Sequence, residues 1–265
     1  MSTTLDLHQK ILQLVVQSFR TGTPASPFLD SEFLDSELTD NDAYAVQYEL
    51  IERLKVEGEV VRGHKVALTS KAARAHLGVD EPCFGHILDA RVYANGAEVP
   101  LAELADPHCE AEIAFVLGED LKGPGVTPAQ VMAATRGVLP AIELVDIKVQ
   151  GDGIRGVDVI AHQALHGGVI IGSRLIDLTT VDLQYEGVTV EYNGHLAGSG
   201  TGSEVMGNPI NPIAWLANKM AEFDDYLKAG EIIISGSVVT PVRVRHGSHI
   251  NVTFTRLGSV GATFI

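Results

Sequence analysis

The chain has 265 residues, 45% of them hydrophobic, 20% charged and 6% aromatic. That suffices for one large domain with a sizeable core and excludes wholesale disorder. The 34 acidic and 19 basic residues give a formal net charge of −15, which argues against nucleic acid or an anionic membrane as a partner held by overall charge. Two cysteines, Cys83 and Cys109, exclude a disulfide framework and fit a reducing compartment, here taken as the cytoplasm. The first residues lack a basic stretch leading into a long apolar run, and no run approaches the ~18 residues of a membrane span. Leu7, Ile11, Leu14, Val15 and Phe19 fall at helical spacing and predict a first helix closed by Gly22. A loop with Pro24, Pro27 and several acidic residues follows. Thr39 and Asp40 are capping residues for a second helix, whose face is Ala43, Val46, Leu50, Ile51 and Leu54 and which closes near Gly58.

From Val60 the texture changes to short β-rich runs separated by glycine: Val60–Leu68, Ala111–Leu117, Val138–Val145, Gly168–Ile171, Val188–Tyr192, Glu231–Ser235 and Ile250–Arg256. Three short helices interrupt them. One runs from Ser70 to Leu77. A second is capped by Thr127, with Pro128 at its first position and Gly137 just past its end. The third starts at Asn211 and Pro212 and runs through Met220. Strand and helix do not alternate regularly, so a doubly wound sheet is not expected. The expectation is an α+β chain: a helical segment over residues 1–60, then an irregular β domain over 61–265.

The chemistry concentrates in Pro107–Leu117. Residues two apart share a face of a strand, so Glu110 and Glu112 point the same way at the start of an apolar run. Two close, desolvated carboxylates conflict unless they are protonated or neutralised, and a divalent cation neutralises them. Glu143 sits inside a second apolar run, Val138–Asp146, where a carboxylate is costly without a partner. Three carboxylates from two strands make an oxygen-donor site suited to Mg²⁺ or Mn²⁺ and less to zinc.

Four motifs carry a resemblance: Gly63-His64-Lys65-Val66-Ala67-Leu68-Thr69-Ser70, Gly78-Val79-Asp80-Glu81-Pro82, Glu110-Ala111-Glu112-Ile113-Ala114-Phe115 and Pro140-Ala141-Ile142-Glu143. Trp215–Lys219, Ala229–Ile233 and Leu257–Val260 add to it. From about residue 40 onward the chain resembles the fumarylacetoacetate hydrolase superfamily. The branch is that of 2-hydroxypenta-2,4-dienoate hydratases, 2-oxohept-4-ene-1,7-dioate hydratases and 4-oxalocrotonate decarboxylases. The resemblance implies a mixed β-roll with the N-terminal helices packed against it, and a Mg²⁺ or Mn²⁺ ion on Glu110, Glu112 and Glu143. It also implies a catalytic lysine at Lys65, whose burial is expected to lower its pKa. Leu68, Ser70, Ser237 and Thr240 are the implied substrate contacts, the last two in a turn beside the metal.

The sequence departs from the branch at two places. Hydratases carry an acid two residues before Gly85, where this chain has Cys83. The usual Ala-Asp-Asn-Ala-Ser is here Ala161-His162-Gln163-Ala164-Leu165. Cys83 and His162 are therefore candidate proton carriers beside Lys65, against the bland readings of a buried small hydrophobe and an ordinary hydrogen-bonded histidine. Asp158 matches a family aspartate that orients a neighbour or caps a turn. Gly198–Ser203 lacks the lysine of a P-loop and corresponds to a loop at the active-site mouth. Arg243 and Arg245 are candidates for reading a second carboxylate.

The function expected from the resemblance is a lyase of aromatic-compound catabolism: a hydratase adding water to a 2-hydroxy-2,4-dienoate to give a 4-hydroxy-2-oxo acid. Decarboxylation of a 2-oxo-enedioate is the alternative, and a non-catalytic metal-binding partner protein is the third reading. The expected partners are a small 2-oxo or 2-hydroxy acid and further copies of the chain, with a pathway enzyme as an additional one. The apolar face of the first helix is the observation behind self-assembly.

Overall fold

Two amphipathic helices open the chain in the computed structural model, which describes residues 2–28 and 38–265. They are α1 (Ser2–Thr21) and α2 (Asp40–Val56). The acidic part of the expected loop between them falls on residues 29–37, outside the described residues. Thr39 caps α2 in a reciprocal box: its hydroxyl accepts from the Asp42 N–H while the Asp42 carboxylate accepts from the Thr39 N–H. Ile11, Leu12 and Val15 of α1 are buried with Tyr44, Leu50, Ile51 and Leu54 of α2 in the main core. The apolar face behind the expectation of self-assembly is thus covered within the chain.

In chain order the strands are β1 (Val61–Ala67), β2 (Cys83–Leu88), β3 (Val92–Ala94), β4 (Glu98–Val99), β5 (Pro107–Leu117), β6 (Thr135–Asp146), β7 (His166–Ile171), β8 (Gly187–Tyr192), β9 (His195–Thr201), β10 (Ile232–Ile234), β11 (Val242–Arg243), β12 (His249–Phe254) and β13 (Gly258–Phe264). Short helices α3 (Lys71–Leu77), α4 (Pro128–Ala134), α5 (Gly156–Ala161) and α6 (Ile210–Met220) lie between them. The strands form a mixed eight-stranded sheet, β2-β1-β10-β5-β6-β7-β3 with β11 also on β5, and a five-stranded sheet, β4-β13-β12-β8-β9. The main apolar core runs from Ile11 to Phe264 and joins helices and sheets, and a smaller cluster gathers Ile87, Ala114, Leu139, Ala141, Val169 and Ile234 of the larger sheet.

Every run expected to be β contains a strand. The expected runs end short of the real strands for β5 and β6, which reach into polar sequence because their whole length is paired. Strands β2, β3, β4, β9, β11 and β13 were not expected. Gly85 and His86 interrupt β2, and glycines weaken β9 and β13; ladder pairing, not propensity, makes them strands. Gly137 does not close α4 either. The helix ends at Ala134, Thr135 turns extended with its hydroxyl on the Val131 carbonyl, and Gly137 lies inside β6 opposite Val116. For the site, the decisive feature is the β5–β6 register, which sets Glu110 directly across from Glu143, with Glu112 two residues along the same face.

Candidate metal centre and active site

Glu110, Glu112 and Glu143 bring one carboxylate oxygen each to within 4.8 Å of one another. Glu112 and Glu143 are fully buried. Among the described residues, Glu112 Oε1 and Glu143 Oε2 are buried without a hydrogen-bond partner, a cost of about 1–3 kcal/mol each that a cation between them would remove. The other oxygen of Glu112 accepts the backbone N–H of Gly236 at 2.7 Å. A side chain at Gly236 would strike Thr69 at 2.6 Å, and its φ of +108° suits glycine. Burial, reinforced by Glu143, lifts the Glu110 carboxyl to about 7, and burial with both neighbouring carboxylates lifts Glu112 well above its ordinary value. Burial presses Glu143 upward too, but Lys65 and His166 outweigh it and hold it low. An all-oxygen set with unpartnered lone pairs fits a hard divalent cation.

Lys65 leaves β1 on the same side. Its Nζ lies 2.9 Å from Glu143 Oε1 and donates to the Ala164 carbonyl at 2.8 Å. Burial alone would lower its pKa, as expected from the sequence. The carboxylates of Glu143, Glu110 and Glu112 reverse that and hold it above its ordinary value. His166, which the sequence did not single out, joins the site: its Nδ1 shares Glu143 Oε1 at 2.8 Å. Burial lowers the His166 pKa against the pull of Glu143, so a neutral ring donates from Nδ1. Val145 stands opposite His166 across a β6–β7 bulge, a long-range pairing that no local motif announces. Lys148, also unanticipated, is buried and donates to the His166 carbonyl at 3.0 Å. Burial depresses its pKa to about 8.

A cavity of about 800 Å³ opens onto Lys65 and Glu110, within the size range of small-ligand sites. Leu68, Ser70, Ser237 and Thr240 all line it, with His108, Leu165 and Ser199. Ser70 also caps α3, and the Ser237 hydroxyl donates to the Val239 carbonyl. Gly198–Ser203 does stand at this cavity through Ser199 and Gly200, but largely as β9 and not as a loop.

Neither Cys83 nor His162 is brought into the lining. Cys83 pairs with Ala67 and lies in the apolar core, where burial pushes its thiol up to about 12. His162 stacks on Phe28 and binds the Asp158 carbonyl through Nδ1 at 2.8 Å. Burial takes its pKa down to about 4. Asp158 caps α5 through the Arg155 N–H and also accepts from the Phe28 N–H. Arg243 turns to Asp106 at 2.6 Å, and neither it nor Arg245 lines the cavity. Cys109 faces the core.

The fumarylacetoacetate (FAA) hydrolase C-terminal family model matches residues 55–265. The chain is 39% identical over 234 residues to a 2-oxo-hept-4-ene-1,7-dioate hydratase of Escherichia coli, covering 86% of this chain and 87% of that one. It is 36% identical over 254 residues to a 2-hydroxyhexa-2,4-dienoate hydratase of Comamonas testosteroni, covering 95% of each. A solved structure of 4-oxalocrotonate decarboxylase from Pseudomonas putida G7, complexed with magnesium and adipate, superposes with a TM-score of 0.93 at 33% identity over 98% of each chain. Among the described residues, no helix is long and apolar enough to cross a membrane.

Proposed function

The chain belongs to the fumarylacetoacetate hydrolase family, and from that premise we propose that it is a metal-dependent hydratase of the 2-hydroxy-2,4-dienoate class. The reaction is ketonisation of the dienol to a 2-oxo-3-enoate, then addition of water with hydroxyl at C4 and hydrogen at C3, giving a 4-hydroxy-2-oxo acid. The observation that carries it is Lys65 Nζ set 2.9 Å from Glu143 at the wall of a cavity that also exposes Glu110. Glu110, Glu112 and Glu143 would hold Mg²⁺, with Mn²⁺ an ion of the same class. Bound there, the ion supplies a chelation point for the C1 carboxylate and C2 oxygen and stabilises negative charge on that oxygen.

The chain's own residues do the rest. Lys65 carries the proton that moves between the enol oxygen and C5, then the proton of the added water. His166 and Ala164 keep Lys65 and Glu143 in place. Leu68, Ser70, Ser237 and Thr240 form the walls, where the hydroxyls position the carboxylate and the attacking water. Cys83 and His162 serve as packing, as a small buried hydrophobe and a hydrogen-bonded ring. The chemistry belongs to residues 61–265, and the extent of the family match supports treating 1–60 as a helical addition. On the family resemblance, and no longer on the face of the first helix, we further propose a homo-oligomer working in the cytoplasm in aromatic-compound catabolism, beside an enzyme of the same reaction sequence.

Two features bear on the choice of reaction. Among the described residues no arginine lines the cavity, which favours a monocarboxylate dienoate over a 2-oxo-enedioate as substrate. Leu165 lines it too, and an apolar wall there favours the second reading, decarboxylation of a 2-oxo-enedioate, because an ill-solvated carboxylate leaves more readily as CO₂. Product analysis with Mg²⁺ decides between them. The hydratase gives a 4-hydroxy-2-oxo acid from a 2-hydroxydienoate. Release of CO₂ from 2-oxohex-3-enedioate, with no hydration of the dienoate, assigns the decarboxylase.

A further inference from the structure

Adjacent residues of a strand face opposite sides, so His64 leaves β1 on the side away from Lys65. The β1–β2 register pairs it with His86, and the two rings lie 5.0 Å apart at 54°. Asp225, after α6, completes a group in which one ligand atom from each residue lies within 4.8 Å of the others. His64 and His86 are 1% and 4% exposed. The Asp225 side chain is 26% exposed, which leaves a way in from solvent.

Among the described residues His64 Nδ1 is buried with no hydrogen-bond partner, and Glu231 Oε2 stands 3.5 Å from it. A buried imidazole nitrogen left so is costly. The other ring is already oriented: His86 Nδ1 meets Gln163 Oε1 at 3.2 Å and Tyr48 packs edge-on at 5.1 Å, leaving Nε2 as its ligating atom. Such a hydrogen bond on the remote nitrogen is the usual outer support of a metal-bound histidine. Asp225 is fixed by the Tyr226 N–H at 2.8 Å, with the Lys228 ammonium at 3.4 Å.

We propose that His64, His86 and Asp225 form a second cation site for a borderline transition ion such as Zn²⁺, with Glu231 beside it. Two imidazoles and a carboxylate select such an ion, whereas the oxygen-only trio selects a hard one, so the two sites differ in the metal they take. The ion ties the segment after α6 to β1 and β2. It also braces Gln163, next to the carbonyl that receives Lys65.

The test uses the full chain, stripped with chelator, resupplied with saturating Mg²⁺ and titrated with Co²⁺ by calorimetry and visible absorption. One Co²⁺ binds per chain with ligand-field bands and imidazole scattering in X-ray absorption, and Glu112→Gln retains it. His86→Gln weakens Co²⁺ by more than about 100-fold, since supporting residues alone account for 10–100-fold. Asp225→Asn, at a partly exposed position, does so without loss of fold by circular dichroism. Loss of Co²⁺ binding in Glu112→Gln, or binding indifferent to both His86→Gln and Asp225→Asn, overturns the proposal.

Discussion

Lys65 donates its ammonium proton to the carbonyl of Ala164 at 2.8 Å, and that carbonyl is the centre of a left-handed turn. Gln163, Ala164 and Leu165 have φ of 57°, 49° and 61°, a conformation that costs a non-glycine residue about 1–3 kcal/mol. The turn is held by the Gln163 side chain, which accepts from the His86 N–H and donates to the Gln47 carbonyl, both at 3.0 Å. Gln47 in turn donates to the Phe84 and Ile160 carbonyls. Strain at this point positions an acceptor that steers Lys65 towards the carboxylate of Glu143.

If Lys65 transfers protons and does more than bind, Lys65→Met lowers kcat by about 10²–10⁴-fold, the range for a general acid–base group. KM, which the proposed metal at the carboxylate trio would mainly set, should change much less. Lys65→Arg keeps the charge but not a proton that leaves at neutral pH, so it should fall in the same range. Steady-state kinetics at saturating Mg²⁺ checks both variants.

Gly85 stands opposite Lys65 on β2, and a methyl there would meet the Gln163 carbonyl oxygen at 2.2 Å. That oxygen is backbone and cannot step aside without moving the turn. Gly85→Ala should cost at least about 1–3 kcal/mol, as overpacking does. It should also lower kcat, because the Ala164 carbonyl moves with its neighbour. Denaturant unfolding and kinetics on the same preparation test the pairing: a variant of undiminished stability and activity contradicts it.

The helix caps and the carboxylate trio were legible because their signals are local. Thr39 and Thr127 carry their own boxes, and strand alternation with an apolar setting marks Glu110, Glu112 and Glu143. His166 was not, since its meaning is a bond to Glu143 across a bulged ladder. The direction of the Lys65 shift was missed for a related reason: burial is readable from apolar neighbours, but the sum of three carboxylates needs their distances. Cys83 and His162 stand where family comparison pointed, yet packing takes one into the core and the other onto Phe28.

Metal uptake should be coupled to protons. Burial and mutual repulsion lift Glu110 to about 7 and hold Glu112 well above its ordinary value, so near neutral pH the metal-free trio carries protons that an incoming cation displaces. Mg²⁺ affinity should therefore rise with pH through about 7 and binding should release protons. Calorimetry in buffers of different ionisation enthalpy measures that release directly. Glu112→Gln should abolish binding, and an affinity flat from acid to neutral pH contradicts the assignment.

The acid limb of stability should carry the mark of His162. Its folded pKa is about 4, against about 6.5 for an unfolded histidine. Between those values the unfolded chain binds the extra proton, so stability rises with pH through the window and is lost as pH falls from about 6.5 towards 4. The shift corresponds to about 3 kcal/mol at 1.36 kcal/mol per unit. His86 and His166, also held low by burial, add to the wild-type slope, so the informative quantity is a difference. His162→Phe keeps a ring against Phe28 and removes the titration. It loses the bond to the Asp158 carbonyl and should be less stable at pH 7. Its stability should then fall by about 3 kcal/mol less than the wild type's over the same acid range, measured by urea unfolding at fixed ionic strength. Equal slopes for the two proteins would mean that His162 is free to ionise in the folded chain and is not sealed behind the cavity wall.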